Sequence, residues 1–150
     1  MELDFLFAFL AVVCYAYLFD VPLRPTLIAG ISGSLAWMMS KYWISHDIFG
    51  TAFAAFTIGV IAYLFAPRLH QPVTTMIIPA IIVLVPGAAA YNALRFAIEG
   101  NSSLAGQGVI SVISSTLAIA GGLSVSELIM LRFNRSWRTF WEHRRLKQNQ

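Results

Sequence analysis

The sequence predicts an all-α integral membrane protein with five transmembrane helices, the fourth interrupted at Pro86-Gly87, followed by a basic amphipathic tail. Three observations carry this. Hydrophobic residues make up 58% of the 150-residue chain against 11% charged, and mean hydropathy is +0.71, a balance foreign to soluble domains. The charge-free runs 73–94 and 100–126 are long enough to cross a bilayer, since ~30 Å of hydrocarbon takes about 20 helical residues. Finally, most of the basic residues fall on one side of the membrane once five crossings are drawn.

Apolar runs bounded by charges and turn residues place the spans at about 3–19, 26–43, 49–66, 73–98 and 107–131. Residues 1–131 then form the membrane domain and 132–150 the tail. The first span follows Glu2 and Asp4, with no basic segment before it and no small-residue cleavage site after Leu18, so no signal peptide is expected. Its single cysteine, Cys14, sits in an apolar run and is expected to be a small buried hydrophobe. Asp20-Val-Pro-Leu-Arg-Pro25 separates the first two spans, and Asp20 can pair with Arg24 across the turn, a structural turn being the favoured role for it. Ser45-His-Asp47, Ala66-Pro-Arg-Leu-His-Gln-Pro72 and Glu99-Gly-Asn-Ser-Ser103 make the remaining connections.

Small residues recur at helical spacing on three spans. Span two has Ala29, Gly33 and Ala36; span three has Ala52, Ala55, Gly59, Ala62 and Ala66; span five has Ser111, Ser115, Ala118, Gly122 and Ser126. In lipid, where apolar side chains gain little by leaving the solvent, such stripes let helix backbones approach closely. They can pack the bundle itself or meet a second chain.

Five spans put the termini on opposite sides. With the tail in the cytoplasm, its Arg132, Arg135, Arg138, Arg144, Arg145 and Lys147 join Arg24 and Arg68 inside, leaving Lys41 and Arg95 outside with the N-terminus. Within the tail, Trp137, Phe140, Trp141 and Leu146 fall near one helical face among arginines, a pattern suited to anionic lipid on the inner leaflet. The net charge of +3 is therefore assigned to membrane rather than nucleic acid.

The fourth span is the candidate site. Pro79 and Pro86 each remove a backbone donor, and Gly87 tolerates the conformations a broken helix requires. Pro86 lies near mid-depth of this span, and non-helical backbone at that depth is tolerated only where protein or a watery cavity satisfies it. A helix restarting after Gly87 offers the amides of Ala88, Ala89 and Ala90 to an anion, with Tyr91, Asn92 and Arg95 following. Pro86, Gly87, Ala88, Tyr91, Asn92 and Arg95 are thus the candidate binding residues. A plain proline kink, with Arg95 reaching the headgroups, is the competing reading.

Glu127, four residues before the end of the last span, is a candidate for proton coupling, although its place near the interface also allows simple solvation. His46, His70 and His143 are too dispersed for a metal site, and no cofactor motif or catalytic set is present. Catalysis is not expected; a lipid-modifying enzyme would need a convergent acid and base.

The segments Phe19-Asp-Val-Pro-Leu-Arg24 and Ile78-Pro-Ala-Ile-Ile-Val-Leu-Val-Pro-Gly-Ala-Ala-Ala-Tyr-Asn-Ala-Leu94 resemble the threonine/serine exporter family. The chain looks like the short, stand-alone C-terminal half of that family, whose best-known form is a subunit of a two-component exporter linked to succinate. The resemblance covers residues 3–131. It implies efflux of small amino acids or dicarboxylates across a bacterial inner membrane, driven by the proton gradient. It also implies a longer partner subunit with a cytoplasmic N-terminal domain and five spans of its own. Homo-oligomers are left open, as is a non-transporting scaffold or assembly subunit in which the break and the stripes serve packing alone.

Overall fold

The computed structural model describes the backbone of residues 2–43 and 48–148, and the side chains of 3–42 and 48–132. All its regular structure is helical: α1 (Glu2–Leu18), α2 (Leu23–Met38), α3 (Ile48–Leu69), α4 (Thr74–Ile81), α5 (Gly87–Ile98) and α6 (Ser102–Gln148). A π-helical turn, Met39–Trp43, carries α2 five residues further, and a 3₁₀ turn, Ile82–Leu84, follows α4.

By length and composition, α3 and the 31-residue apolar part of α6 can each cross a membrane. The α4 and α5 segments qualify together as one span bent by 49°. α1 has 17 residues and α2 has 16 before its π turn, so each comes just short of a full crossing by the same measure.

Turn chemistry fixes the ends. α1 closes on Asp20, in the left-handed region at φ 51°, with Val21 N–H donating to Ala16 O at 3.1 Å. α3 closes in the same way on His70 at φ 53°, with Gln71 N–H donating to Ala66 O at 3.1 Å. α5 ends on Gly100 at φ 78°, where glycine removes the steric cost of that conformation. The sequence placed the last span from 107, but Asn101 starts α6 earlier: its Oδ1 accepts from Leu104 N–H at 3.2 Å. Asp20 makes no ion pair with Arg24 and instead takes the structural turn role favoured for it. Its residue is spent on closing the turn, and the ion pairs among the described residues are Lys41–Asp4 and Arg95–Glu99.

The helices stand in a row with α1 at one edge, α2 and α4 inside, then α3, then α6; α5 leans on α6 beyond. Small residues make the seams. A β-carbon placed on Gly33 would stand 2.8 Å from Val12 Cγ2 and 3.0 Å from Ala80 O, so α1, α2 and α4 converge on that glycine. On Gly59 it would stand 1.9 Å from Ser126 Oγ, and on Gly122, 2.1 Å from Ala52 O. The stripes on α2, α3 and the inner part of α6 therefore pack this chain's own bundle. Ser111, further out on α6, is exposed.

Hydroxyls buried in the apolar core bond backwards to their own helices. Ser32 Oγ donates to Ala29 O at 3.0 Å, Ser34 Oγ to Gly30 O at 2.7 Å and Ser126 Oγ to Leu123 O at 2.7 Å. No buried side-chain nitrogen or oxygen among the described residues lacks a partner, as a low-dielectric surrounding requires. Cys14 departs from expectation. It lies on the outward face of α1, because Val12 and Ala16 take the buried positions and Cys14 falls between them.

Candidate functional site

The break between α4 and α5 is sharply defined. The 3₁₀ turn ends at Leu84, Val85 is extended at φ −63°, ψ 127°, and Pro86 at φ −77°, ψ 54° begins the helix that restarts at Gly87. Proline explains the position: it cannot donate into the preceding turn, and it pushes Val85 out of helical conformation. Pro79, inside α4, is buried and accommodated without a break.

At the restart, Gly87 N–H turns back to Val85 O at 2.8 Å and Ala90 N–H bonds Pro86 O at 3.0 Å. Ala90 is thus not a free donor as its sequence position suggested. The amides of Ala88 and Ala89 have no backbone acceptor among the described residues, and they point from the positive end of α5. A β-carbon on Gly87 meets nothing within 4 Å, so the approach to these amides is open.

The side chains beyond the break face away from the bundle. Ala93 is the buried contact with α6, where a β-carbon on Gly108 would stand 2.7 Å from Ala93 Cβ. Tyr91, 68% exposed, Asn92 and Arg95 lie on the open surface of α5. Arg95 is not a bare cation: its Nε donates to Glu99 Oε1 at 2.8 Å, one turn on. Among the described residues, then, Gly87, Ala88, Tyr91, Asn92 and Arg95 share an exposed face that no second helix closes.

Two polar contacts escaped the sequence reading. Tyr63 on α3 lies beside Glu127 of α6 across the α3–α6 seam, near enough for the carboxylate charge to act on it. The residues lie 64 positions apart, and only the parallel course of the two helices brings them together. At the opposite end of the bundle, Asp4 accepts from Lys41 Nζ at 3.0 Å and from the Tyr42 hydroxyl, tying the start of α1 to the π turn. A cleft of about 270 Å³ beside it, lined by Asp4, Phe7, Ala8, Ala11, Trp37 and Val83, reaches the 3₁₀ turn of the broken span.

The charges are unequal between the two ends. Lys41 and Arg95 are each neutralised by a carboxylate, whereas Arg24 and Arg68, at the other end, form no ion pair among the described residues. The tail side chains Arg135 to Lys147, with Trp137, Phe140, Trp141 and Leu146, lie outside the described side chains. His46, in the connection before α3, also lies outside the described residues, which contain no cluster of His, Cys, Asp and Glu able to hold a metal ion.

Apolar helices packed through small residues, two of them and one bent pair long enough to cross a bilayer, define a membrane protein. A family model described as "Threonine/Serine exporter, ThrE" matches residues 4–129, and the chain belongs to that family. Comparisons with curated proteins and with solved structures give no match.

Proposed function

We propose that this chain is a membrane subunit of a secondary exporter for small amino acids, threonine or serine, or for dicarboxylates such as succinate. The observation that carries the reading is the restart at Gly87. Two unbonded amides, a glycine with open space around it, and the outward Tyr91, Asn92 and Arg95 form one face suited to a carboxylate. In the proposed arrangement the chain crosses the bacterial inner membrane five times, α4 and α5 counting as one crossing. Residues 1–131 form the membrane domain, the N-terminus lies outside, and the tail 132–150 rests on anionic lipid in the cytoplasm. The lone arginines Arg24 and Arg68 support that orientation, because cytoplasmic loops carry the excess of basic charge.

The open side of α5 supports a second subunit: a five-span partner with a cytoplasmic N-terminal domain closes the face that this chain leaves uncovered. Glu127, beside Tyr63, is the proposed proton-coupling carboxylate. A scaffold role is favoured by one observation, that Tyr91, Asn92 and Arg95 point outward and Arg95 is already paired.

Export of threonine, serine and succinate from loaded cells, with the partner present, separates the two. Gly87→Leu fits the fold, since its side chain enters open space, yet it covers the Ala88 and Ala89 amides. Export should fall at least tenfold with membrane insertion unchanged; export at the parental rate would leave the scaffold role standing.

A further inference from the structure

The turns α1–α2 and α3–α4 lie side by side at the basic end of the bundle and enclose a cavity of about 360 Å³. Its walls are Pro22, Leu23, Arg24 and Pro25 from one turn and Arg68, Leu69, His70 and Gln71 from the other. The volume falls at the small end of ligand pockets, which hold roughly 300–1,000 Å³.

The two walls are built alike. Each helix closes on a left-handed residue, Asp20 or His70, and each carries the same 3.1 Å closing bond, from Val21 to Ala16 or from Gln71 to Ala66. Each then meets a proline two residues later, Pro22 or Pro72. Two stiff corners thus bring Arg24 and Arg68, one from each turn, to the lining of one opening. Arg68 is steadied by donating from Nη1 to Leu64 O at 2.9 Å and by lying over the Phe65 ring, 5.5 Å from its centroid.

Two arginines line one small cavity, and among the described residues neither forms an ion pair that offsets its charge. Asp20, the acid closest in sequence, makes no ion pair with either. The first turn of α2 adds donors of the same sign: Leu23 and Arg24 N–H have no backbone acceptor among the described residues, and Pro22 O is occupied by Thr26. The last carbonyls of α3 at Leu69 oppose an anion here, so the two arginine charges and the α2 amides are what favour one.

We propose that this cavity is an oxyanion site, separate from the break, in which Arg24 and Arg68 bind a carboxylate or phosphate group. Arginine suits that chemistry because its planar donors match both oxyanions in pairs. The group has two sources: a small carboxylate solute on its way to export, or the phosphate of a lipid headgroup. That the solute arrives from the cytoplasm rests on the orientation proposed above; the binding site does not.

The test uses the full chain in nanodiscs of phosphatidylcholine, with Arg24→Gln, Arg68→Gln and, as a control outside the cavity, Arg132→Gln. Equilibrium binding of labelled succinate and of inorganic phosphate is measured, and retention of phosphatidylglycerol is followed by native mass spectrometry. Losing one charge-assisted contact should weaken binding about tenfold for each cavity arginine, with Arg132→Gln unchanged. Succinate or phosphate binding lost in that pattern assigns a solute site. Phosphatidylglycerol retention lost in that pattern, without solute binding, assigns a lipid headgroup site. If all three anions behave alike in the parent and in the double variant, the site does not exist. Gly87→Leu is predicted to leave this binding intact while stopping export, so failure here and failure at the break are read separately.

Discussion

Replacing Gly122 by alanine tests the packing that positions every functional element. The new β-carbon would stand 2.1 Å from Ala52 O and 3.0 Å from both Ala52 C and Phe56 N, all backbone atoms of α3. No rotamer change moves them. A carbon normally lies no closer than about 3.3 Å to a carbonyl oxygen, so α3 and α6 must separate locally by about 1 Å. Overpacking of this kind costs about 1–3 kcal/mol, and a rigid backbone obstacle puts Gly122→Ala at about 3 kcal/mol.

Gly59→Ala provides the graded comparison. Its β-carbon meets Ser126 Oγ at 1.9 Å and Ser126 Cβ at 2.7 Å, atoms that a second substitution removes. Ser126→Gly should therefore recover much of the loss in Gly59→Ala, and none of the loss in Gly122→Ala. Unfolding of the purified protein in mixed micelles, titrated with SDS and followed by far-ultraviolet circular dichroism, gives the differences. A Gly122→Ala protein within about 0.5 kcal/mol of the parent would refute the seam geometry.

Two further outcomes follow from the proposed orientation and coupling. Glu127→Gln should make export insensitive to an imposed pH gradient while leaving insertion intact, and Tyr63→Phe, which removes only the hydroxyl beside the carboxylate, should weaken that sensitivity several-fold; gradient-driven uptake into inverted vesicles reads both. Cysteines at Leu23 and Leu104, in a Cys14→Ser background, should react with a membrane-impermeant thiol reagent from the inside and the outside respectively; labelling of both from one side would remove the five-crossing arrangement.

The helical class and the break were legible because they depend on local chemistry: long uncharged runs, and a Pro86-Gly87 pair that cannot continue a helix. The small-residue stripes were legible too, since Gly33 on α2, Gly59 on α3 and Gly122 on α6 each stand among small residues at helical spacing on their own helix. What a linear reading does not supply is how far each face is covered. The alternation that buries Val12 and Ala16 turns Cys14 outward, and hydrophobicity alone does not distinguish a lipid-facing thiol from a packed one. Arg95 was placed toward a ligand, although Glu99 stands at the four-residue spacing that favours an ion pair. Asn101 carried a readable helix-start signal, which would have moved the last span back to Ser102. Tyr63 with Glu127, and Lys41 and Tyr42 with Asp4, depend on which helices neighbour each other, and spacing along the chain does not encode that.

Cysteine accessibility at position 88 tests the central claim most directly. In the Cys14→Ser background with the partner present, Ala88→Cys should react with a hydrophilic thiol reagent, because the break opens to water, and threonine, serine or succinate should slow that reaction several-fold. A cysteine that only lipid-soluble reagents reach, at a rate no solute changes, would mean that the broken helix faces hydrocarbon and is not where export occurs.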